Sequence, residues 1–279
     1  MKVSGKIAVL MPVYTGDKPS QVVEAISSIL AQTYSNFILF VGCDGPLAAD
    51  VANAVAKFND ERLRVVRFPE NRGLAHTLNS LIDLALQDQD VDFIARMDAD
   101  DISMEERFEQ QVQFLGSNPG ISVLGAGCYE ITGSGNIVFE KRLPERHSTL
   151  ARRFIKQCPL VHPTVMFRRQ VFEAGARYPT EYVRSEDLAF WLTLMGEGYQ
   201  FANMQRPLLL FRIGDDFLKR RADRKKGWAE FRVRIKAIKQ LGLPVIVNLF
   251  YAMAQLGVKA SPAILIGFAY RIARSQKSG

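Results

Sequence analysis

Three carboxylates fall within four residues at Asp98-Ala99-Asp100-Asp101, directly after the apolar run Phe93-Ile94-Ala95-Arg96-Met97. A strand that ends in Asp-x-Asp can aim alternate side chains at one place, and hard oxygen donors of this kind suit Mg²⁺ or Mn²⁺ carrying substrate phosphates. A solvated turn before a helix is the plainer explanation, and Ser103-Met104-Glu105-Glu106 has the Ser-x-x-Glu form of a capping box. That box accounts for Ser103 and Glu106 and leaves the aspartates over. A second acidic signal, Ser185-Glu186-Asp187, opens an apolar helix over 188–195. It fits ordinary first-turn acids after a cap, and equally a group that takes a proton. Asp44-Gly45 fits a turn, and in Asn71-Arg72-Gly73 Asn71 could cap the helix that follows. His162 precedes Pro163, which restricts it to extended geometry. Neither His76 nor His147 has metal-ligand spacing to His162.

These residues need elements to hold them. Apolar runs alternate with segments of helical period, which predicts strands over 7–13, 37–42, 63–68 and 93–97 and helices over 20–32, 48–58, 74–86 and 104–115. Four strand-helix units predict an α/β fold, a mostly parallel sheet with helices on both faces, whose ligands bind beyond the carboxyl ends of the strands. The loops 14–17, 43–46, 69–73 and 98–101 all follow strands. After residue 120 the regularity breaks into a hairpin over 121–143 with its turn at Gly133-Ser134-Gly135-Asn136, a helix near 148–156, and a last strand over 207–213.

The 279 residues, 48% hydrophobic and 23% charged, can bury a large core and exclude wholesale disorder. Cys43, Cys128 and Cys158 are far apart and show no CxxC spacing, so neither a disulfide framework nor a zinc site is supported. The opening residues enter a strand too early and too briefly for a signal peptide, so a cytoplasmic body is expected. The net charge of +7 hides an asymmetry: residues 218–279 carry 14 Lys and Arg against 2 Asp and Glu. An acidic body argues against a nucleic-acid groove, and a basic tail suits an anionic membrane surface.

The loops in this order resemble the family 2 glycosyltransferases of the GT-A fold, over roughly residues 6–213. The motifs are Met11-Pro12-Val13-Tyr14, Cys43-Asp44-Gly45, the stretch from Asn71 to Asn79, Asp98 to Asp101, His162-Pro163-Thr164 and Glu186-Asp187. Within the family the chain looks most like bacterial enzymes that build lipopolysaccharide, capsule or other surface glycans. The resemblance implies a Rossmann-like nucleotide-sugar half (1–120) and an acceptor half (121–217), and the charge pattern adds a basic helical extension (218–279). It implies a UDP-sugar donor, with Asp44 on the uracil ring and Pro12, Tyr14, Asn71 and Arg72 around the nucleoside. Relatives often carry two acids before the glycine where this chain has Cys43-Asp44. It further implies Asp98 near the ribose and on the metal, Asp100 as the principal ligand of Mn²⁺ or Mg²⁺, and Asp101 in support. Asp187 would be the general base of a single inverting step, with Glu186 supporting it and His162 lining the donor or acceptor site. A carboxylate in the first turn of a helix is favoured as an anion, which opposes a role as base, and burial would offset this. Arg212 would either reach the diphosphate or lie at the surface.

In the tail, Trp228, Phe231, Ile235 and Ile238 share a helical face beside Arg232, Lys236 and Lys239, as in a helix lying at a membrane interface. The apolar runs 244–258, broken by Asn248 and Gln255, and 263–272 are each short of the roughly 20 residues a transmembrane helix needs. The expectation is a peripheral protein on the inner face of the cytoplasmic membrane acting on a glycan or lipid-linked acceptor. The alternative for the tail is a helical cap packed on the catalytic domain or joining copies in a homo-oligomer. With no Gln-x-x-Arg-Trp signature, addition of a single sugar is expected. Two other activities compete. A nucleotidyltransferase would need a Gly-rich basic loop where this chain has Tyr14 to Pro19; a non-catalytic membrane-associated protein of the same fold would not need Asp98, Asp100 and Asp187.

Overall fold

The computed structural model describes residues 5–182, 184–214 and 224–260. Its elements are β1 (Lys6–Val13), α1 (Pro19–Leu30), β2 (Phe37–Cys43), α2 (Ala49–Ala56), β3 (Leu63–Arg67), α3 (Leu74–Ala85), β4 (Val91–Arg96), β5 (Ile102–Ser103), α4 (Arg107–Ser117), β6 (Val123–Ile131) and β7 (Ile137–Lys141). They continue with α5 (His147–Arg153), a 3₁₀ turn (His162–Thr164), β8 (Met166–Arg168), α6 (Arg169–Glu173), α7 (Glu186–Gly196), β9 (Phe201–Arg212), α8 (Arg224–Gln240) and α9 (Val245–Ala260). The strands form one sheet in the order β3-β2-β1-β4-β8-β6-β9-β5, with β7 on β6. β1 to β4 run parallel, β8 lies antiparallel between β4 and β6, and β9 is parallel to β6. The carboxyl ends of β1, β2, β4, β6 and β9 therefore share one edge, where the loops of interest emerge.

Alternation along β1 explains the layering. Ile7, Val9, Met11 and Val13 face a core shared with α1, α2 and α4, while Ala8 and Leu10 face one shared with α3, α7 and α8. The first four strand-helix units match the sequence pattern within a few residues. Four local expectations do not hold. His162, expected in extended backbone before Pro163, instead opens the 3₁₀ turn His162–Thr164. Ser103 caps no helix: Ile102 and Ser103 pair with Leu210 and Leu209 as β5, the Ser103 hydroxyl accepts from Gln32 Nε2 at 3.2 Å, and α4 starts at Arg107. The last strand starts at Phe201, not residue 207, and Pro207 sits where the β6–β9 register shifts, so its missing N–H breaks no regular ladder. Gly73, not Asn71, occupies the N-cap position of α3.

The described part of the tail packs on the domain. Val233, Ala237 and Ile238 of α8, with Leu243 and Ala252, are buried in the same core as α3 and α7. The buried face of α8 is Gly227, Glu230, Val233, Arg234, Ala237 and Ile238. Of the apolar face expected for a membrane, Trp228 and Ile235 are exposed and Ile238 is not. The two polar residues that interrupt the run 244–258 find partners within the protein: Asn248 is buried and its Nδ2 donates to the Pro244 carbonyl, and Gln255 Nε2 donates to the Lys156 carbonyl at 3.1 Å. The opposite face of α9 leaves Val245, Ile246 (86% exposed), Val247, Phe250 (70%) and Met253 in solvent. Among the described residues no helix is long and apolar enough to cross a membrane. The run 263–272 lies outside the described residues.

Candidate active site

At the end of β4, one carboxylate oxygen each of Asp98, Asp100 and Asp101 lies within 4.8 Å of the others. Asp98 and Asp100 are half-buried, and Asp101 is buried. Two buried arginines that no sequence motif announces sit beneath them. Arg96 pairs with Asp98, and Arg107 donates from Nη2 to the Arg96 carbonyl at 2.8 Å and from Nε to Gln111 at 3.1 Å. A charged residue closing the apolar run Phe93-Ile94-Ala95 is the available signal. Asp101 Oδ1 accepts from the Arg212 backbone N–H at 2.8 Å, while its Oδ2 is buried with no hydrogen-bond partner. Burial, and then the charges of Asp100 and Asp98, hold the Asp101 carboxyl well above the usual range. Arg212 is only 6% exposed, so it is no surface arginine. Its guanidinium pairs with Glu24 and donates from Nε to the Asp100 carbonyl at 2.9 Å, bracing the acidic loop from behind.

The loops expected to hold the nucleotide meet at Asp44. Its backbone N–H donates to the Val13 carbonyl at 2.8 Å, which brings the Pro12–Tyr14 segment alongside. Its two carboxylate oxygens accept from the backbone N–H groups of Arg72 (2.9 Å) and Gly73 (3.0 Å), fastening the end of β2 to the loop before α3. Pro12 is half-buried; Tyr14 (48%), Asn71 and Arg72 are exposed and form a rim. Gly45 makes this closure feasible: its φ is +81°, and an added Cβ would lie 2.5 Å from the Asn71 nitrogen. Gly45→Ala is therefore expected to destabilise the fold by about 1–3 kcal/mol and to weaken nucleotide binding. Urea unfolding with a parallel UDP titration measures both. Asp17, in the loop after β1, is a further acid of the site that no motif marks. It accepts from Tyr14 N–H at 2.9 Å and stands within the field of Asp100 and Asp98. Burial raises its carboxyl to about 7 against that hydrogen bond, and the two aspartates add to the rise.

Across the site, Glu186 and Asp187 begin α7, and Asp187 Oδ1 accepts from the Leu188 N–H at 2.7 Å. Ser185 holds the N-cap position, yet its buried hydroxyl makes no hydrogen bond. Burial raises the Asp187 carboxyl and outweighs the lowering by Lys226 and by the Leu188 N–H. Glu186 is raised by burial and then by Asp187. The objection from the helix dipole is thus overcome by desolvation. His162 lies beside Tyr178, Nε2 to Oη 3.0 Å, and edge-on to Trp191 at 5.7 Å between ring centroids. Burial, and next the charge of Arg96, push its imidazole well below the ordinary value, so it is neutral near pH 7. Tyr178 stands within the field of Arg96, Asp187, Glu186 and Asp98. Asn79 fixes it by a two-way clamp on its backbone, accepting from Tyr178 N–H at 2.8 Å and donating to its carbonyl at 2.9 Å. The contact spans 99 residues, and nothing in the local sequence announces it.

The profile of glycosyl transferase family 2 matches residues 8–175. The chain belongs to this family. Among its relatives, the amylovoran biosynthesis glycosyltransferase AmsE of Erwinia amylovora is 27% identical over 94% of this chain and 97% of its own. The Escherichia coli UDP-Gal:alpha-D-GlcNAc-diphosphoundecaprenol beta-1,3-galactosyltransferase is 25% identical over 95% of both. Among solved structures, the mannosyltransferase PcManGT from Pyrobaculum calidifontis, in complex with GDP-Man and Mn²⁺, superposes with a TM-score of 0.63 at 17% identity, covering 96% of this chain and 80% of that one. The family 2 enzyme described here therefore has the GT-A fold, with helices added at its C-terminal side. Family membership also favours glycosyl transfer over the nucleotidyl transfer that the sequence left open.

Proposed function

We propose that this chain transfers a single sugar, with inversion, from a UDP-sugar to a glycan or lipid-linked acceptor in bacterial surface-polysaccharide synthesis, using Mn²⁺ or Mg²⁺. The observation that carries the reading is the convergence of Asp98, Asp100 and Asp101 within 4.8 Å at the strand edge that also holds Asp44. Three carboxylates with a buried oxygen left unpartnered fit a hard divalent cation, held by Asp100 and Asp98 with Asp101 behind. When bound, such a cation supplies neutralisation of the charge that builds on the departing nucleoside diphosphate. Asp44, with Pro12, Tyr14, Asn71 and Arg72 around it, would hold the uracil and nucleoside. Asp187 would take the proton from the acceptor hydroxyl as that oxygen bonds to the anomeric carbon and the C–O bond to the diphosphate breaks on the opposite face. Glu186 would keep that carboxylate in place, and neutral His162 would line the pocket between donor and acceptor. The UDP donor and lipid diphosphate acceptor of the E. coli relative and the Mn²⁺ of the Pyrobaculum structure support this assignment.

The exposed apolar face of α9, beside the exposed cations Arg232, Lys236 and Lys239 of α8, supports docking on the inner face of the cytoplasmic membrane, where a lipid-linked acceptor resides. Flotation on anionic vesicles at low and high salt tests it; a chain that stays in the aqueous fraction at low salt refutes docking and favours the packed cap or an oligomer contact. For the donor, thermal unfolding with UDP-glucose, UDP-galactose, UDP-GlcNAc and GDP-mannose, each with Mn²⁺ or Mg²⁺ and again with EDTA, is decisive. A UDP-sugar at a hundredfold excess over its Kd is expected to add about 2.7 kcal/mol in a metal-dependent way. Stabilisation by GDP-mannose alone would refute the UDP assignment.

A further inference from the structure

We propose that Arg96 is a positioning residue of the metal site: it holds one oxygen of Asp98 and keeps a positive charge against the acid cluster. It thereby weakens binding of a free divalent cation and reserves the site for a cation that arrives with a nucleoside diphosphate. The inference rests on the reading of Asp98, Asp100 and Asp101 as the cation site.

Arg96 ends β4 and Asp98 follows two residues later, a spacing that puts side chains of an extended chain on the same side. Arg96 Nη2 pairs with Asp98 Oδ1, and its Nη1 donates to the Met97 carbonyl. The Arg96 side chain is 3% exposed and that of Asp98 29%, so the guanidinium is sealed in while the carboxylate opens onto the site. The backbone that carries it is pinned on both sides. Arg96 N–H donates to the Val165 carbonyl at 2.9 Å, and Arg107 Nη2 donates to the Arg96 carbonyl at 2.8 Å. Arg96 Nε is buried with no hydrogen-bond partner, and among the described residues Asp98 alone pairs with this guanidinium as a carboxylate. Arg96 therefore cannot give up Asp98 without remaining as a buried charge with no counter-ion, which is costly.

For a cation the pairing has two costs. One oxygen of Asp98 is taken, on a carboxylate whose charge is already shared. A divalent ion at the cluster also sits near a guanidinium of its own sign in a partly desolvated place, where like charges repel more than in water. Orientation works the other way, since a fixed carboxylate is a better ligand and losing such a partner usually weakens a metal site. Here the rest of the loop has its own brace: Arg212 N–H donates to Asp101 Oδ1 at 2.8 Å, and Arg212 Nε donates to the Asp100 carbonyl at 2.9 Å. The placement of the cluster thus does not hang on Arg96 alone, and the charge is the effect that dominates. A nucleoside diphosphate reverses the balance, because its phosphates bring oxygen ligands for the cation and negative charge that Arg96 attracts.

The test is the binding of Mn²⁺ alone to the full chain, without nucleotide, followed by the EPR signal of the free ion. Arg96→Met is expected to bind Mn²⁺ roughly tenfold more tightly than the wild type, and Arg96→Lys to bind it as weakly as the wild type. Adding Asp98→Asn to Arg96→Met should remove the gain. UDP alone, titrated in EDTA, should move the opposite way and bind Arg96→Met more weakly. A side chain that only held the fold together would weaken both ligands or neither. Mn²⁺ affinity that is unchanged or lower in Arg96→Met, with circular dichroism and unfolding temperature showing a folded protein, overturns the proposal. If Arg96→Met does not fold, Arg96→Gln is measured in its place and decides by the same two outcomes. Asp100→Ala separates this from the wider assignment. Mn²⁺ binding that persists in Asp100→Ala, with or without Arg96→Met, puts the ion elsewhere and sinks the cation site together with the proposal. Binding lost in Asp100→Ala yet no tighter in Arg96→Met sinks the role of Arg96 alone.

Discussion

Asp187→Asn is expected to slow transfer by roughly 10²–10⁴-fold while leaving donor affinity nearly intact, the loss typical of a general base. The amide keeps the shape of the side chain, and its oxygen can still accept the Leu188 N–H that Asp187 Oδ1 takes at 2.7 Å, so the start of α7 is preserved. What is lost is a site for the acceptor's proton. Because burial raises the Asp187 carboxyl, the wild-type rate should climb with pH as that group gives up its proton, and the mutant should lack this limb. Rates with saturating donor and acceptor, followed from acid to neutral pH, measure it. Near wild-type transfer would remove Asp187 from the chemistry, and a loss of UDP affinity would make it structural.

Asp100→Ala is expected to abolish metal-dependent binding of UDP and, with it, transfer. The substitution should leave the loop standing, because Arg212 Nε donates to the backbone carbonyl of Asp100 and the Arg212 N–H donates to Asp101. Two carboxylates would remain, of which Asp98 is already engaged by Arg96 and Asp101 is buried. A cation would then have too few protein oxygens to compete with water. Calorimetry with UDP and Mn²⁺ decides the matter: an unchanged Kd and an unchanged response to EDTA would take Asp100 out of the site.

The first four strand-helix units were legible in the sequence because β1, β2 and β4 are largely buried on both faces and the helices are amphipathic, so period and punctuation carried the information. β8 was not legible. Three residues, Met166–Arg168, between a 3₁₀ turn and a short helix have no period to detect, and they find their place only by pairing with β4 and β6. The acid cluster announced itself by composition, whereas its counter-charges did not. Arg96 closes an apolar strand and Arg107 lies in an ordinary helical pattern, and both matter only because the fold buries them under Asp98 and Asp101. The tail shows the converse. Its apolar residues were visible, but which of them face water depends on where Asn248 and Gln255 find partners, the Pro244 carbonyl just before the same helix and the Lys156 carbonyl about a hundred residues earlier.

The seating of α8 in the core imposes an order on how the molecule is made. A chain synthesised from its N-terminus can pair β1, β2, β3 and β4 early, since these strands meet through short crossovers. α7 cannot finish so soon. Nearly all its faces are apolar, with Leu188, Ala189, Phe190, Trp191, Leu192, Leu194 and Met195 buried, and part of their cover is Val233, Ala237 and Ile238. Until those residues leave the ribosome, the growing chain carries an uncovered greasy helix beside the already paired strands β1 to β4. Nascent chains halted between α7 and α8 should therefore recruit chaperones or aggregate, and release of the last helices should end that state.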